Sequence, residues 1–475
     1  YEYGLNRTPL ADLSLIVKQK LNGEKSDYDL ETKLLDVLKT NASFDGKQFL
    51  CKQLSLIGTE KSIEQLIVML EDSKTSDMAR YALEKIKSEN VDIALIDILD
   101  NVEPEIKIGI INSLGNRKSE IAVDKLGKLV LDNNSDVAAS AASALGKIGS
   151  SHSAEVLSQL LNKTKNIIHD VLIDSYLLCA DKFLLDKNNK AAEEIYSNVL
   201  ANENSSIQKI AALNGIVFAA PSNKSAIILK YLQSDDPQLN QAAAQEVRKL
   251  SRENEFKNIV TNFNSFNDKT KIQVLYSIKE LQKPYFHNLV LTNAEKASDA
   301  VRIAAIDCLE KLATVDDVKF LTNLALGNNS EIDNAARLTL DKISGKEIDK
   351  KIINLIVTSP PEIQVELIRS IGERKTQSAF PNIVQTAKST NQKVRLESYK
   401  TLELISDPNQ LDQLLKVFLD IENPAELKRM ENTLAKVSLK NENENERAEK
   451  FLEAFDKTND FEKQMSLLRI LGSTG

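Results

Sequence analysis

One position in this chain returns every 31 residues. Counted from Leu145, the series runs back through Leu114, Leu83 and Leu54 and forward to Tyr176. After a jump of 40 it resumes at Ile216 and continues through Val247, Ile278, Leu309, Leu340, Ile371 and Leu402, each 31 apart, and Leu434 and Leu468 close it. The residue four before each anchor is apolar except at Ser398 and Gln464, and the residue three after it is apolar except at Arg117 and Arg374. Those three positions share one face of an α-helix, so a buried stripe is repeated fourteen times. A fixed period of this length is the mark of stacked repeats, each of which buries its apolar face only against its neighbours.

Between the stripes lies a second amphipathic segment, such as IEQLIVML from Ile63, VDKLGKLVL from Val123 and VKFLTNLAL from Val318. Each unit is therefore expected to be a pair of helices. Helix-start residues mark the junctions at Ser135-Asp136, Ser298-Asp299, Asp236-Pro237, Asn423-Pro424 and Asp407-Pro408, where a short polar side chain can cap free N–H groups and Pro fits the first turn. Composition agrees. Of 475 residues 42% are apolar, only 5% aromatic and none Trp, so the core must be aliphatic; 15 Gly and 10 Pro are few for a chain of many β-turns. Cys51, Cys179 and Cys308 are far apart inside apolar helical patterns and read as buried free thiols, with no disulfide framework and no metal cluster.

The segments SDVAASAASALGKIG and SDAVRIAAIDCLEKLA closely resemble the second helix of short HEAT repeats. The resemblance covers about residues 40 to 475 and implies an all-α fold, an α-α superhelix of about fourteen helix pairs, as one solenoid over residues 1–475. Residues 1–43 are expected to form an N-terminal helical cap and the first outer helix, with an insertion in the connection near residues 180–190. More narrowly, FLCKQLSLIGTEKSI, MARYALEKI and GIINSLGNRK look like HEAT regions of bacterial multidomain exported proteins, which implies a periplasmic or secreted location. The closing RILGSTG resembles a motif that leads into another helix pair, so fusion to a further domain beyond Gly475 is an expectation.

In such repeats the second helices line a concave inner face, as the family resemblance implies. On a helix the positions two before and two after each anchor point away from the core. These columns are mixed and mostly polar, which favours a protein or peptide partner over nucleic acid. From them Tyr81, Leu178, Phe218, Tyr276, Arg369 and Lys400 emerge as candidate partner-binding residues. Leu178 and Phe218 are outward-facing apolar residues of adjacent units beside the ADKFLLDKNNK insertion, whose Phe183, Leu184 and Leu185 could fold back over them. A column seven before the anchor is often basic, at Lys47, Lys107, Lys209, Lys271, Arg302 and Arg395, with His169. Its place at the rim of the stripe suggests stems that pack and heads that bind carboxylates or carbonyls. Arg117 and Arg374, in matching G-x-R-K contexts, are read as helix-terminating cations.

No pattern for chemistry emerges. His152, His169 and His287 are widely separated and belong to no metal-ligand spacing, and the chain has no phosphate loop, dinucleotide fingerprint or nucleophile elbow. HEAT-fold hydroxylases use His-Glu pairs, and no His-Glu dipeptide occurs here. A net charge of −8 disfavours a phosphate-binding surface. No catalytic, cofactor or metal residue is expected. The expected function is a non-catalytic protein-interaction scaffold; the alternative is an accessory module of a multidomain carbohydrate-processing enzyme or a lyase-like enzyme subunit.

Overall fold

The computed structural model describes residues 6–23, 29–163, 168–203, 205–220 and 222–474. Tyr1 and Gly475, the ends of the expected cap and of the closing motif, lie outside them. Among the described residues there are 29 α-helices and no strand. Thr8–Leu21 comes first, and fourteen helix pairs follow, from Leu30–Leu38 with Phe44–Ile57 to Glu444–Asp456 with Phe461–Thr474. The chain divides into two compact units, Tyr1–Ile227 with Asp236–Ala242, and Ile228–Asp235 with Ala243–Gly475.

Short polar side chains start the helices, though not always the expected ones. Asn423 accepts from the amides of Ala425 and Glu426 ahead of Pro424, and Asp236 accepts from Gln238 and Leu239 ahead of Pro237. At the alanine-rich helix Ser135–Ile148 the cap is Asn134, which accepts from Asp136 and Val137, while Ser135 is already helical. Ser298 precedes Asp299–Leu312 but makes no cap bond; its hydroxyl donates to Asp268 at 2.6 Å.

Within the first unit the second helices Phe44–Ile57, Ser76–Leu83, Pro104–Arg117, Ser135–Ile148, His169–Leu185 and Ser206–Ala219 each pack on the next. In the second unit the same holds from Asp268–Leu281 through Asp299–Leu312, Ser330–Lys342, Pro361–Glu373, Gln392–Ile405 and Pro424–Ser438 to Phe461–Thr474. Thirteen of the fourteen anchors are buried. Each buried aliphatic anchor contributes about 1.5–3 kcal/mol relative to exposure. Leu468 is the exception, 46% exposed, while Leu467 and Ile470 are buried in its place. The stripe is shifted by one residue in this last helix, and its anchor is Leu467 in place of the expected Leu468.

Two devices hold successive second helices together. In the first unit small residues allow close approach: a Cβ on Gly146 would lie 2.9 Å from Ser175 Cα, and one on Gly115 2.9 Å from Ala144 Cα. In the second unit, from the Ile278 to the Leu434 anchor, the residue one before the anchor is a buried hydroxyl or thiol, and all but one donate back to the preceding second helix. Ser277 reaches Ala244 O at 2.7 Å, Cys308 Leu275 O at 3.1 Å, Thr339 Ile306 O at 3.1 Å, Thr401 Ile368 O at 2.9 Å and Thr433 Tyr399 O at 3.1 Å. Ser370, at the same place in the period, is buried and its hydroxyl has no partner.

The nine extra residues before Ile216 do not form a loop. They lengthen the helices on either side, to His169–Leu185 and Asn189–Asn202, with Lys187 at φ 62° and Asn188 capping the second. Phe183 turns into the core, and Tyr196, fully buried, donates to Asp181 at 2.5 Å and lies where a Cβ on Gly215 would meet its ring. The segment does not cover Leu178 and Phe218, which stay 44% and 70% exposed.

A candidate partner-binding face on the second helices

Arg117 and Arg374 turn out to be structural, but not by ending their own helices. Lys118 and Lys375 make those turns, at φ 56° and 53°, with Ser119 N bonded to Leu114 O and Thr376 N to Ile371 O. The arginines reach back one unit. Arg117 donates to Leu83 O at 2.8 Å, Ile86 O at 2.7 Å and Ser88 O at 2.8 Å, and its Nε binds Asp92 at 2.7 Å. Arg374 donates to Leu340 O at 2.8 Å and Ile343 O at 2.5 Å and binds Asp349 at 2.6 Å. Each guanidinium thus meets the negative end of the preceding second helix, with a carboxylate behind it. Neither is free for a ligand.

Most of the basic column is likewise engaged. Arg395 forms a bidentate pair with Glu426 at 2.6 and 2.8 Å and donates to Ser389 O and Thr390 O; Arg302 donates to Ala294 O at 3.2 Å; His169 lies 3.0 Å from Glu203 and Lys271 3.8 Å from Asp268. The Arg395 hydrogen bonds hold the Glu426 carboxyl below its ordinary range, and burial beside Glu426 pushes the Tyr399 phenol up to about 12.

What remains accessible lies on the outward side of the second helices. Tyr81 and Tyr276 are half exposed, and Leu178 and Phe218 are exposed on neighbouring helices. Lys400 is exposed, with Glu397 at 3.5 Å, whereas Arg369 is held by Asp341 at 2.7 and 2.9 Å and by Glu366 at 2.6 Å. The six therefore do not form one cluster. Tyr81 and Lys400 each line a groove, and the two grooves share a register.

The larger groove, about 800 Å³, runs between Phe44–Ile57 and Ser76–Leu83 and is lined by Phe44, Phe49, Lys52, Lys74, Met78 and Tyr81, among others. The other, about 470 Å³, is lined by Val365, Lys393, Leu396, Glu397, Lys400 and Arg429 on three consecutive second helices. In both, the lining comes mainly from positions nine, six, five and two before the anchor, which share one face of the helix. Phe44, Phe49, Lys393, Leu396 and Arg429 escaped the two outward columns considered in the sequence. Positions five and nine before the anchor project onto that same face by helical geometry, and they would have found most of these residues.

The three cysteines are fully buried, and burial pushes each thiol up to about 12. His152 pairs with Asp124 and His287 with Asp317, in separate places. Among the described residues no group of three or more His, Cys, Asp or Glu is placed to hold a metal ion, and no helix is long and apolar enough to cross a membrane.

A family model for HEAT repeats matches residues 91–173 and 350–435. Each match contains one of the two back-reaching arginines. Among solved structures, the chain is similar to one from a structure of Kap95p binding RanGDP, at 10% identity and a TM-score of 0.42, over 98% of this chain and 70% of that one. It is also similar to the karyopherin Kap121p bound to the SUMO protease Ulp1p, at 10% identity and a TM-score of 0.40, over 99% of this chain and 65% of that one. Over 54% of its length it is similar to 98% of human deoxyhypusine hydroxylase, at 13% identity and a TM-score of 0.26. No curated protein matches it.

Proposed function

We propose that this chain, whose residues 91–173 and 350–435 match the HEAT-repeat family, acts as a non-catalytic scaffold binding a protein or peptide along the exposed outward faces of its second helices. The observation that carries the reading is the Phe44, Phe49, Met78 and Tyr81 groove. Phe44 and Tyr81 expose half of their surface there, 54% and 51%, in a chain that has little aromatic surface to leave unburied. Aromatic side chains in a groove bury large area at low entropic cost, which is the character of interface anchors. Asp45, Gln48, Lys52, Lys74 and Asp77 in the same lining add polar contacts of both charges. Equivalent outward positions are also exposed at Leu178 and Phe218 in the first unit and at Tyr276 and Lys400 in the second. Cys51, the thiol in the lining of the first groove, is pushed up to about 12 by burial, which favours binding over nucleophilic chemistry there.

The test is affinity capture from the source organism's extract with the intact chain and with Phe44→Ser/Tyr81→Ser, a pair on the exposed surface. Proteins retained by the intact chain and lost with the variant, at unchanged helicity and melting, support the scaffold. Identical retention by both, or capture of a small molecule that is turned over, overturns it.

A further inference from the structure

The second groove has an electrostatic character that the first lacks. In the second unit most cations near the helix stack are committed to carboxylates: Lys279 to Asp307 and Glu310, Arg337 to Glu366, Arg369 to Asp341, Arg374 to Asp349, Arg395 to Glu426, Lys436 to Glu403 and Arg469 to Glu431. Lys393 and Arg429 depart from this. Among the described residues neither has an ion-pair partner, and Lys400 has only Glu397 at 3.5 Å. All three cations line one groove, against a single carboxylate, in a chain whose net charge is −8.

The floor between them is apolar. Val365 and Leu396 lie in the groove, and a smaller one of about 190 Å³, which shares Val365 and Lys393, adds Leu326, Pro361, Glu362 and Asn391. Leu326 and Leu396 are exposed. Lys393, Leu396 and Lys400 sit three and four residues apart on one helix face, so the charges flank the apolar strip along the Gln392–Ile405 helix. Cations flanking an exposed apolar strip select a partner with the reverse pattern, because like charges are penalised and anions gain attraction once the partner covers the strip and displaces water.

We infer that the groove of Val365, Lys393, Leu396, Lys400 and Arg429 binds an acidic peptide segment, one whose aliphatic side chains enter the floor while flanking Asp or Glu carboxylates pair with Lys393, Lys400 and Arg429. This rests on the scaffold reading and gives it one partner chemistry. A nucleic acid would offer the anions but not the aliphatic anchors, and the groove has no aromatic side chain on which to stack bases.

The probe is a fluorescein-labelled peptide library in which two leucines at varied spacing are set among Glu and Asp, with a control library carrying Lys at the acidic positions. Fluorescence anisotropy with the whole chain should show binding of acidic members, weakened more than tenfold by Lys393→Glu/Arg429→Glu, weakened by added salt, and unchanged by Phe44→Ser/Tyr81→Ser. Equal binding of the basic library, no acidic member binding, equal competition by single-stranded RNA, or indifference to the Lys393/Arg429 pair overturns the inference. Lys393 is exposed and Arg429 half-buried, so circular dichroism melting of the double variant separates lost binding from lost fold. If partners are captured through Phe44 and Tyr81 while the acidic library fails, the inference falls and the scaffold stands; if capture fails as well, both fall.

Discussion

The guanidinium of Arg374 is bound to the carboxylate of Asp349, 25 residues earlier, at 2.6 Å, and Arg117 holds Asp92 at the same sequence separation. Both arginine side chains are less than a tenth exposed. In each case the same guanidinium also takes up carbonyls of the preceding second helix, so a single side chain joins three helices.

Replacing either arginine with methionine keeps the stem and removes the fork. The carboxylate and the helix-end carbonyls then lose their donor; the expected loss is about 3–5 kcal/mol at Arg117, whose partner Asp92 is buried, and less at Arg374, because Asp349 is 27% exposed. Lysine restores charge without bidentate geometry and should recover only part of it. Chemical denaturation followed by circular dichroism measures both, and Arg374→Met combined with Asp349→Asn should cost less than the sum of the single changes.

The hydroxyl column of the second unit gives a paired comparison. Thr401→Val removes a buried donor to Ile368 O and should cost about 0.5–1.5 kcal/mol, whereas Ser370→Ala removes an unpartnered hydroxyl and should be neutral or stabilising. Equal losses at the two positions in urea melts would contradict the assignment of the column as inter-repeat bonding.

Glu426 predicts an acid limb. Its hydrogen bonds from Arg395 lower its pKa beneath the ordinary value of 4.5, so the folded state binds fewer protons than the unfolded one in that range. The contribution is therefore fully present above about pH 4.5 and declines as pH falls through the lowered value. Glu426→Gln should cost about 1–3 kcal/mol near neutrality, discounted because Arg395 is a quarter exposed, and the gap from the parent should close in acid. Thermal melts across pH test the sign.

Cys51, Cys179 and Cys308 should resist alkylation in the folded chain, since the thiolate is the reactive species and each pKa stands at about 12. Iodoacetamide labelling read by mass spectrometry should modify them only after denaturation. Rapid labelling of Cys51 in the native chain would show that the groove beside it opens.

Most of the fold was legible because burial imposes a period, and a stripe such as Ala141, Leu145 and Ile148 has one way to face its neighbours. Leu468 misled because Leu467 and Leu468 are chemically alike, and only packing decides which turns inward. Arg117 and Arg374 were rightly seen as cations at a helix terminus, but the terminus belongs to the preceding unit, a relation of about 30 residues that no local pattern displays. The hydroxyl column is spread among Ser, Thr and Cys, so it has no single-letter signature. The grooves were half visible through Tyr81 and Lys400; Phe44, Lys393 and Arg429 needed knowledge of which helical positions line a gap between neighbours.

The backward reach of Arg117 and Arg374 also gives the chain a direction in time. As it leaves the ribosome, the carbonyls of Leu83 and Leu340 appear 34 residues before the side chain that closes over them. Each of these junctions is therefore sealed by newly made chain, and a pause in synthesis just short of either arginine would leave the preceding helix end open to water.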